Sequence, residues 1–372
     1  MAARTVHIAD LDAERAARDL RAALPGPLDL VLFYCSAAYD LEALQNALRV
    51  HLADVSCVVG CTSAGQIGPG GFTDGGLTAV GFRGGSLVAT PWVIEPLHNA
   101  TQICGDIGAQ VLEQRRQRPE HGAFGLLLVD GLAHAEEHLT ASLYAALGDV
   151  PLVGGSAGDD LSFTATHVYV DGTFRSDRAI FVLVETRAPF STFRFQHFLP
   201  SGRRVVVTGA DPARRIIHSI DGRPALSGYA EALGMRAEQI TPQVWSAHPL
   251  LVTIGGEAHI RSIKRVLDDG AFELLCAIER GVVLRIGTST DPIEAATTAL
   301  AAARARVERP AVVLGYDCIL RRLEFAEHGQ RDAIGAVYAD NDVVGFSTYG
   351  EQWNSVHVNQ TFTGVVIGGR RD

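Results

Sequence analysis

One order of segments occurs three times along this chain, and a repeat of that length constrains the fold more than any single motif. In each copy a short apolar run, a helical stretch and a second apolar run end at a glycine. In the first copy Leu28-Asp-Leu-Val-Leu-Phe-Tyr-Cys35 reads as a buried strand, Asp40 caps a helix reaching about Leu52, and Val58-Val59 opens a strand that breaks at Gly60. In the second the strand is 125–129, the helix 136–147, and Leu152-Val153 breaks at Gly154. In the third the strand is 311–315, a helical stretch follows, and Val343-Val344 breaks at Gly345. The loops of copies one and three align without a gap: Gly60-Cys-Thr-Ser-Ala-Gly65-Gln66 lies over Gly345-Phe-Ser-Thr-Tyr-Gly350-Glu351. Further on, Asp74 falls on Asn359 and the return strand 77–80 on 362–365. The loop of copy two, Gly154-Gly-Ser-Ala-Gly158-Asp159, is one residue shorter in this alignment and returns through 179–184. The predicted fold is therefore mixed α/β: two domains of repeated strand-helix-strand-strand units, with helices packed outside the sheets.

A chain of 372 residues with 47% hydrophobic and 20% charged residues supports two cores. Before the first copy, residues 13–24 carry helical spacing that stops at Pro25-Gly26-Pro27, so 1–27 is expected to be an N-terminal helical segment. Between copies two and three the pattern changes. Residues 202–208 read as a strand, Asp221-Gly222 as a turn, and Pro224 opens a helix, so a domain boundary falls near Pro200. Asp291 as N-cap and Pro292 at the first helical position start a helix reaching about residue 308. A formal net charge of -10 without a long basic run argues against nucleic-acid binding. The apolar runs are strand-sized, short of the roughly 20 residues of a membrane helix, and 1–12 has no secretory pattern. Six cysteines with no C-x-x-C spacing fit a reducing, cytoplasmic setting. Composition leaves the oligomeric state open.

The chain resembles the FIST family over almost everything after residue 28. The motifs that carry this are Val59-Gly-Cys-Thr-Ser-Ala-Gly65, Leu152-Val-Gly-Gly-Ser-Ala-Gly-Asp-Asp160, Ile220-Asp-Gly-Arg-Pro-Ala-Leu226, Glu273-Leu-Leu-Cys-Ala-Ile-Glu-Arg280 and Gly345-Phe-Ser-Thr-Tyr-Gly-Glu351 with His357-Val-Asn-Gln-Thr361. The resemblance implies an N domain over 28–200 and a C domain over 201–372. It also implies a non-enzymatic, bacterial-type signal-transduction sensor with a small-molecule ligand. In one branch of the family the ligand is haem, the signal nitric oxide, and the partner a histidine kinase or a cyclic-diguanylate signalling enzyme.

The third loop carries the densest side-chain chemistry: Tyr349, Glu351, Trp353, Asn354, His357 and Asn359. If haem is bound, a neutral histidine is the usual axial ligand, and His357 is the first choice for the iron. Loops one and two read as mainly structural. In the C-terminal half, Cys276 and Arg280 form a thiol and cation pair that could serve as an anion or nucleophile site. Gly154-Gly-Ser156-Ala-Gly158 fits the G-x-S-x-G pattern of serine hydrolases, but the helix that must follow the serine is missing. The alternatives to haem are therefore an amino-acid or small-metabolite sensor and, third, a hydrolase using Ser156 or Cys276.

Overall fold

The two apolar runs of each repeat lie side by side in parallel, Val31 opposite Val58, Gly125 opposite Leu152 and Val313 opposite Val343. The computed structural model describes residues 3–369 and builds a six-stranded sheet on each of these pairs. In the first sheet the order is Ala3–Ile8, Leu77–Arg83, Leu28–Ser36, Val58–Ser63, Val168–Val170 and Thr173–Arg175. The second runs Val88–Ile94, Ala179–Thr186, Gly122–Val129, Leu152–Ser156, Glu351–Trp353 and Val356–Val358. The third runs Phe190–Phe195, Phe362–Gly368, Pro310–Cys318, Val343–Thr348, Gln66–Gly68 and Gly71–Thr73. The three orders are the same: outer strand, return strand, first strand, second strand, hairpin. Each hairpin is lent by another copy. Copy two supplies the hairpin of the first sheet, copy three that of the second, and copy one that of the third. The exchange is cyclic, so an edge that each sheet would leave unpaired is covered by a neighbouring copy.

The breaking glycines follow from this pairing. A Cβ at Gly60, Gly154 or Gly345 would stand 2.4, 2.0 or 1.7 Å from the carbonyl oxygen of Phe33, Leu127 or Gly315 on the adjacent parallel strand. Close backbone approach, not a left-handed turn, selects glycine at these three places. One face of each sheet feeds a common core, to which the copies contribute matched residues: Leu32, Tyr34 and Val80; Leu126, Leu128 and Val182; Leu314, Tyr316 and Val365. The other face is covered by helices. Ala13–Ala23 and Leu41–His51 bury Ala16, Leu20, Leu44 and Leu48 on the first sheet, and Ala100–Gln117 and Glu136–Leu147 bury Ile107, Val111, Leu139 and Leu143 on the second. Ile319–Glu327 and Arg331–Asp340 lie on the third, where Tyr338 packs on Phe362. Asp40 caps its helix through the N–H groups of Glu42 and Ala43 at 3.1 and 3.0 Å, a contact of about 1 kcal/mol.

The third copy is interrupted. Its outer strand, Phe190–Phe195, is separated from its remaining elements by a second compact unit, Gln196–Ala295 with Val358–Thr361. That unit is an eight-stranded sheet built around the long strand Phe198–Asp211, which pairs with Val283–Ser289 on one side and Ile216–Ile220 on the other. The helix Ala225–Leu233 packs on it through Ala225, Tyr229 and Ala230 over Val205, Phe272 and Leu284. The helix opened by Asp291, whose carboxylate takes the N–H of Ile293 at 2.8 Å, spans Pro292–Ala305 and leads back into the first unit.

Three details differ from the sequence reading. The segment before the first helix is not wholly helical: Ala3–Ile8 pairs with Leu77–Arg83, a partner too distant for local periodicity to reveal. Pro224 precedes its helix as the N-cap. The loop of copy two is not shorter than its counterparts but longer, as its hydrogen bonds show.

Candidate functional site

The three glycine loops are joined in a closed cycle of backbone hydrogen bonds. Ala64 N–H donates to Ser347 O at 3.1 Å, Tyr349 N–H to Ser156 O at 3.1 Å, and Gly158 N–H to Thr62 O at 3.1 Å. These are equivalent positions in the three copies, each loop donating to another. A second set runs the other way. Ser347 N–H donates to Gly65 O and Ser156 N–H to Gly350 O, both at 2.8 Å, but Thr62 N–H donates to His167 O at 2.9 Å. His167 thus stands where copies one and three have Gly65 and Gly350. Residues 159–166 have no counterpart in the other copies; they form a lip inserted into an otherwise repeated frame.

The lip is anchored at both ends. Asp159, 2% exposed, accepts the N–H groups of Phe163, Thr164 and Ala165 at 2.9, 2.7 and 3.0 Å, together with the Tyr349 hydroxyl. The Tyr349 oxygen in turn accepts the N–H of Leu161 at 3.0 Å. Burial works to raise the Asp159 carboxyl, but the hydrogen bonds from Tyr349, Ala165, Ser162 and Thr164 outweigh it and hold it below its ordinary range. The same burial, with Asp159 beside it, raises the Tyr349 hydroxyl. At the far end Thr166 donates its hydroxyl to Asp130. In between, Asp160 receives the Ser36 hydroxyl at 2.7 Å and the Ala37 N–H at 3.0 Å.

Asp160, Leu161 and Phe163 adopt φ of 53°, 69° and 50°, a left-handed conformation that side-chain-bearing residues rarely take and that costs of order 1–3 kcal/mol each. Leu161 is 39% and Phe163 49% exposed, and the Phe163 ring stacks on Tyr349 at 4.6 Å. Beneath them Tyr349 packs with Ala64, Ile319 and Leu132, so one residue from each side of the cycle meets at the lip. The arrangement holds an aromatic face, an anchored carboxylate and a solvent-exposed backbone with left-handed turns on a rigid base.

Two arginines at the start of the helix Ile319–Glu327 complete the surroundings. Arg321 is wholly buried. Its Nε donates to Asp317 at 2.6 Å, the Tyr338 hydroxyl donates to the other Asp317 oxygen at 2.9 Å, and the guanidinium lies 5.1 Å from the ring centres of Phe195 and Phe325. By strand register Asp317 occupies the position of Cys35 in copy one and Val129 in copy two, so the triad belongs to copy three alone. Arg322 lies over Phe72 and donates to the Ser347 hydroxyl at 3.2 Å and the Thr73 carbonyl at 2.9 Å; it also pairs with Asp74.

The residues singled out from the sequence are dispersed. Tyr349 is at the lip. Glu351, 0% exposed, accepts the Thr348 hydroxyl within the loop, and Trp353 packs against the common core. His357, 2% exposed, sits on the hairpin strand Val356–Val358. Asn359 belongs to the second unit; it is fully buried, with neither amide atom hydrogen-bonded to the described residues. Cys276 is buried and Arg280 exposed in that unit. Ser156 is fully buried and its hydroxyl accepts the Gln352 amide at 3.0 Å; a strand end and then the lip, not a helix, follow it. Among the described residues no group of three or more His, Cys, Asp or Glu side chains is placed to hold a metal ion, and none of their helices is long and apolar enough to cross a membrane.

Asp159, Asp160, Leu161 and Phe163 come from copy two. Reasoning from sequence passed over them. The available signal was the acidic pair Asp159-Asp160 directly after a glycine loop.

Residues 29–223 match the model of the FIST N domain and residues 225–354 that of the FIST C domain. The chain belongs to the FIST family, whose domains are signal-transduction sensor domains that bind small ligands. The two matches meet inside the second compact unit, so the family boundary and the structural boundary divide the chain differently. No curated protein matches the chain.

Proposed function

We propose that this protein is a non-enzymatic sensor that takes up a small metabolite, an amino acid or similar compound, at the lip 159–166 against the stacked Phe163 and Tyr349 rings. The observation that carries this reading is the contrast between a backbone cycle closed by matched bonds and a lip of exposed, left-handed, non-glycine residues. Strain of this kind persists where the surroundings over-determine it, and it collects at ligand clamps and switches. A ligand that stacks on Phe163 and bonds to lip backbone shifts the lip between two arrangements, and the partner reads the change. A thermal-shift screen of amino acids and small metabolites tests it, because a ligand bound only by the folded state raises the midpoint. A hit should weaken at least about tenfold in Phe163→Ala and in Tyr349→Phe. Hits unaffected by both variants overturn the placement.

Haem with nitric oxide, signalling to a histidine kinase or a cyclic-diguanylate enzyme, is the narrower form that family resemblance alone supports. Reconstituted protein would then carry stoichiometric haem with a Soret band that shifts with nitric oxide. Protein that retains no stoichiometric haem ends that reading. Hydrolysis at Ser156 or Cys276 is not part of the proposal; ester turnover abolished by Ser156→Ala would restore it.

A further inference from the structure

Asp74 ends the hairpin that copy one lends to the third sheet, and its side chain is 73% exposed. Two cations converge on it: Arg322, whose side chain is 6% exposed, on one carboxylate oxygen and Arg331 on the other. Arg331 is the first residue of the helix Arg331–Asp340. A cation there opposes the helix dipole, so its position is explained by the anion it faces and not by the helix. The buried guanidinium is fixed from every side. Phe72 lies under it, Ser347 and Thr73 accept from it, and Gly65 leaves room for it, since a Cβ there would fall 1.8 Å from Nη1. An arginine has five N–H donors. Three are used here, on Ser347, Thr73 and Asp74, leaving two on a nearly buried group that finds no further acceptor among the described residues. Asp74 thus faces two positive charges, and Asp317 and Asp160 also act on Arg322 electrostatically.

Asp74 is followed by Gly75, where a Cβ would meet nothing within 4 Å and the backbone turns at φ of 77°, while Gly76 beyond it is held by the Ser36 N–H at 2.9 Å. We propose that Arg322, Arg331 and Ser347 form a binding site for a small carboxylate, and that Asp74 is an internal occupant which such a ligand displaces. Forked guanidinium donors suit a carboxylate bidentately. Ser347 and Gly65 are themselves members of the loop cycle. The site rests on the sensor reading and gives its ligand a chemical class.

Succinate and acetate are the probes, with titration calorimetry on the full chain as readout. Asp74→Asn keeps the shape and removes the competing charge, so succinate should bind that variant at least about tenfold more tightly than wild type. In Asp74→Asn/Arg331→Gln the gain should vanish, and Arg331 is exposed enough for the variant to fold. Equal affinity in wild type and Asp74→Asn, or no binding to either, overturns the proposal. A neutral metabolite that binds in a Phe163-dependent way while Asp74→Asn changes nothing would overturn the carboxylate site and leave the sensor reading standing.

Discussion

Copies one and two of the repeat share a sheet order, a breaking glycine and a place in the loop cycle, yet they close that cycle differently. In copy one the chain passes from Gly65 straight into the hairpin strand Gln66–Gly68, and its loop is buried. In copy two the same bond is made by His167, after a lip whose middle is exposed and left-handed. What is repeated is what packing demands: a parallel pair, a glycine at the close approach, a hairpin to cover the neighbour's edge. What is not repeated is free to take on chemistry, because the frame stays rigid without it.

The comparison can be broken or sharpened in order of expected effect. Asp317→Ala should cost about 3–5 kcal/mol in urea unfolding, since it strands the buried Arg321 cation, whereas Cys35→Ala at the matching place in copy one should cost far less. Gly60→Ala, Gly154→Ala and Gly345→Ala should each cost about 3 kcal/mol and by similar amounts, because each puts a Cβ onto a carbonyl; one tolerated variant would break the equivalence of the copies. Asp159→Asn should cost about 1–2 kcal/mol through weakened bonds to the lip. It should also change the acid limb. The native carboxyl titrates below its ordinary value, so its contribution is complete above the unfolded value of about 3.9 and is lost as pH falls through the native one; the Asn variant should lack that acid-side component. Phe163→Ala should cost under about 1 kcal/mol, since only a stack is lost, and limited proteolysis should then cut the lip faster.

Much of the frame was legible. The strands at 28–35, 125–129 and 311–315 and the helix 136–147 stand where apolar runs and spacing put them, because those patterns report burial, and burial is local in sequence once a strand or helix is granted. The outer strand Ala3–Ile8 and the helix Ala100–Gln117 were missed; the first is half-buried except at the exposed Arg4 and alternates too weakly to read. The third copy concealed its extent because 196–295 interrupt it. Of the candidate site, Tyr349 was found by its company in the third loop. Asp74 was noticed only as the counterpart of Asn359.

By itself the sequence determined most elements of the repeat, the triplication and the family. Hydrophobic period and glycine placement act over a few residues and do not depend on who the partner is. Tertiary structure alone decided which hairpin covers which sheet, that Tyr349 anchors a lip from copy two, and that Asp74 meets arginines 248 and 257 positions away. Backbone edges carry the same N–H and C=O groups in every copy, so only the packing of whole sheets around the shared core chooses among equivalent pairings.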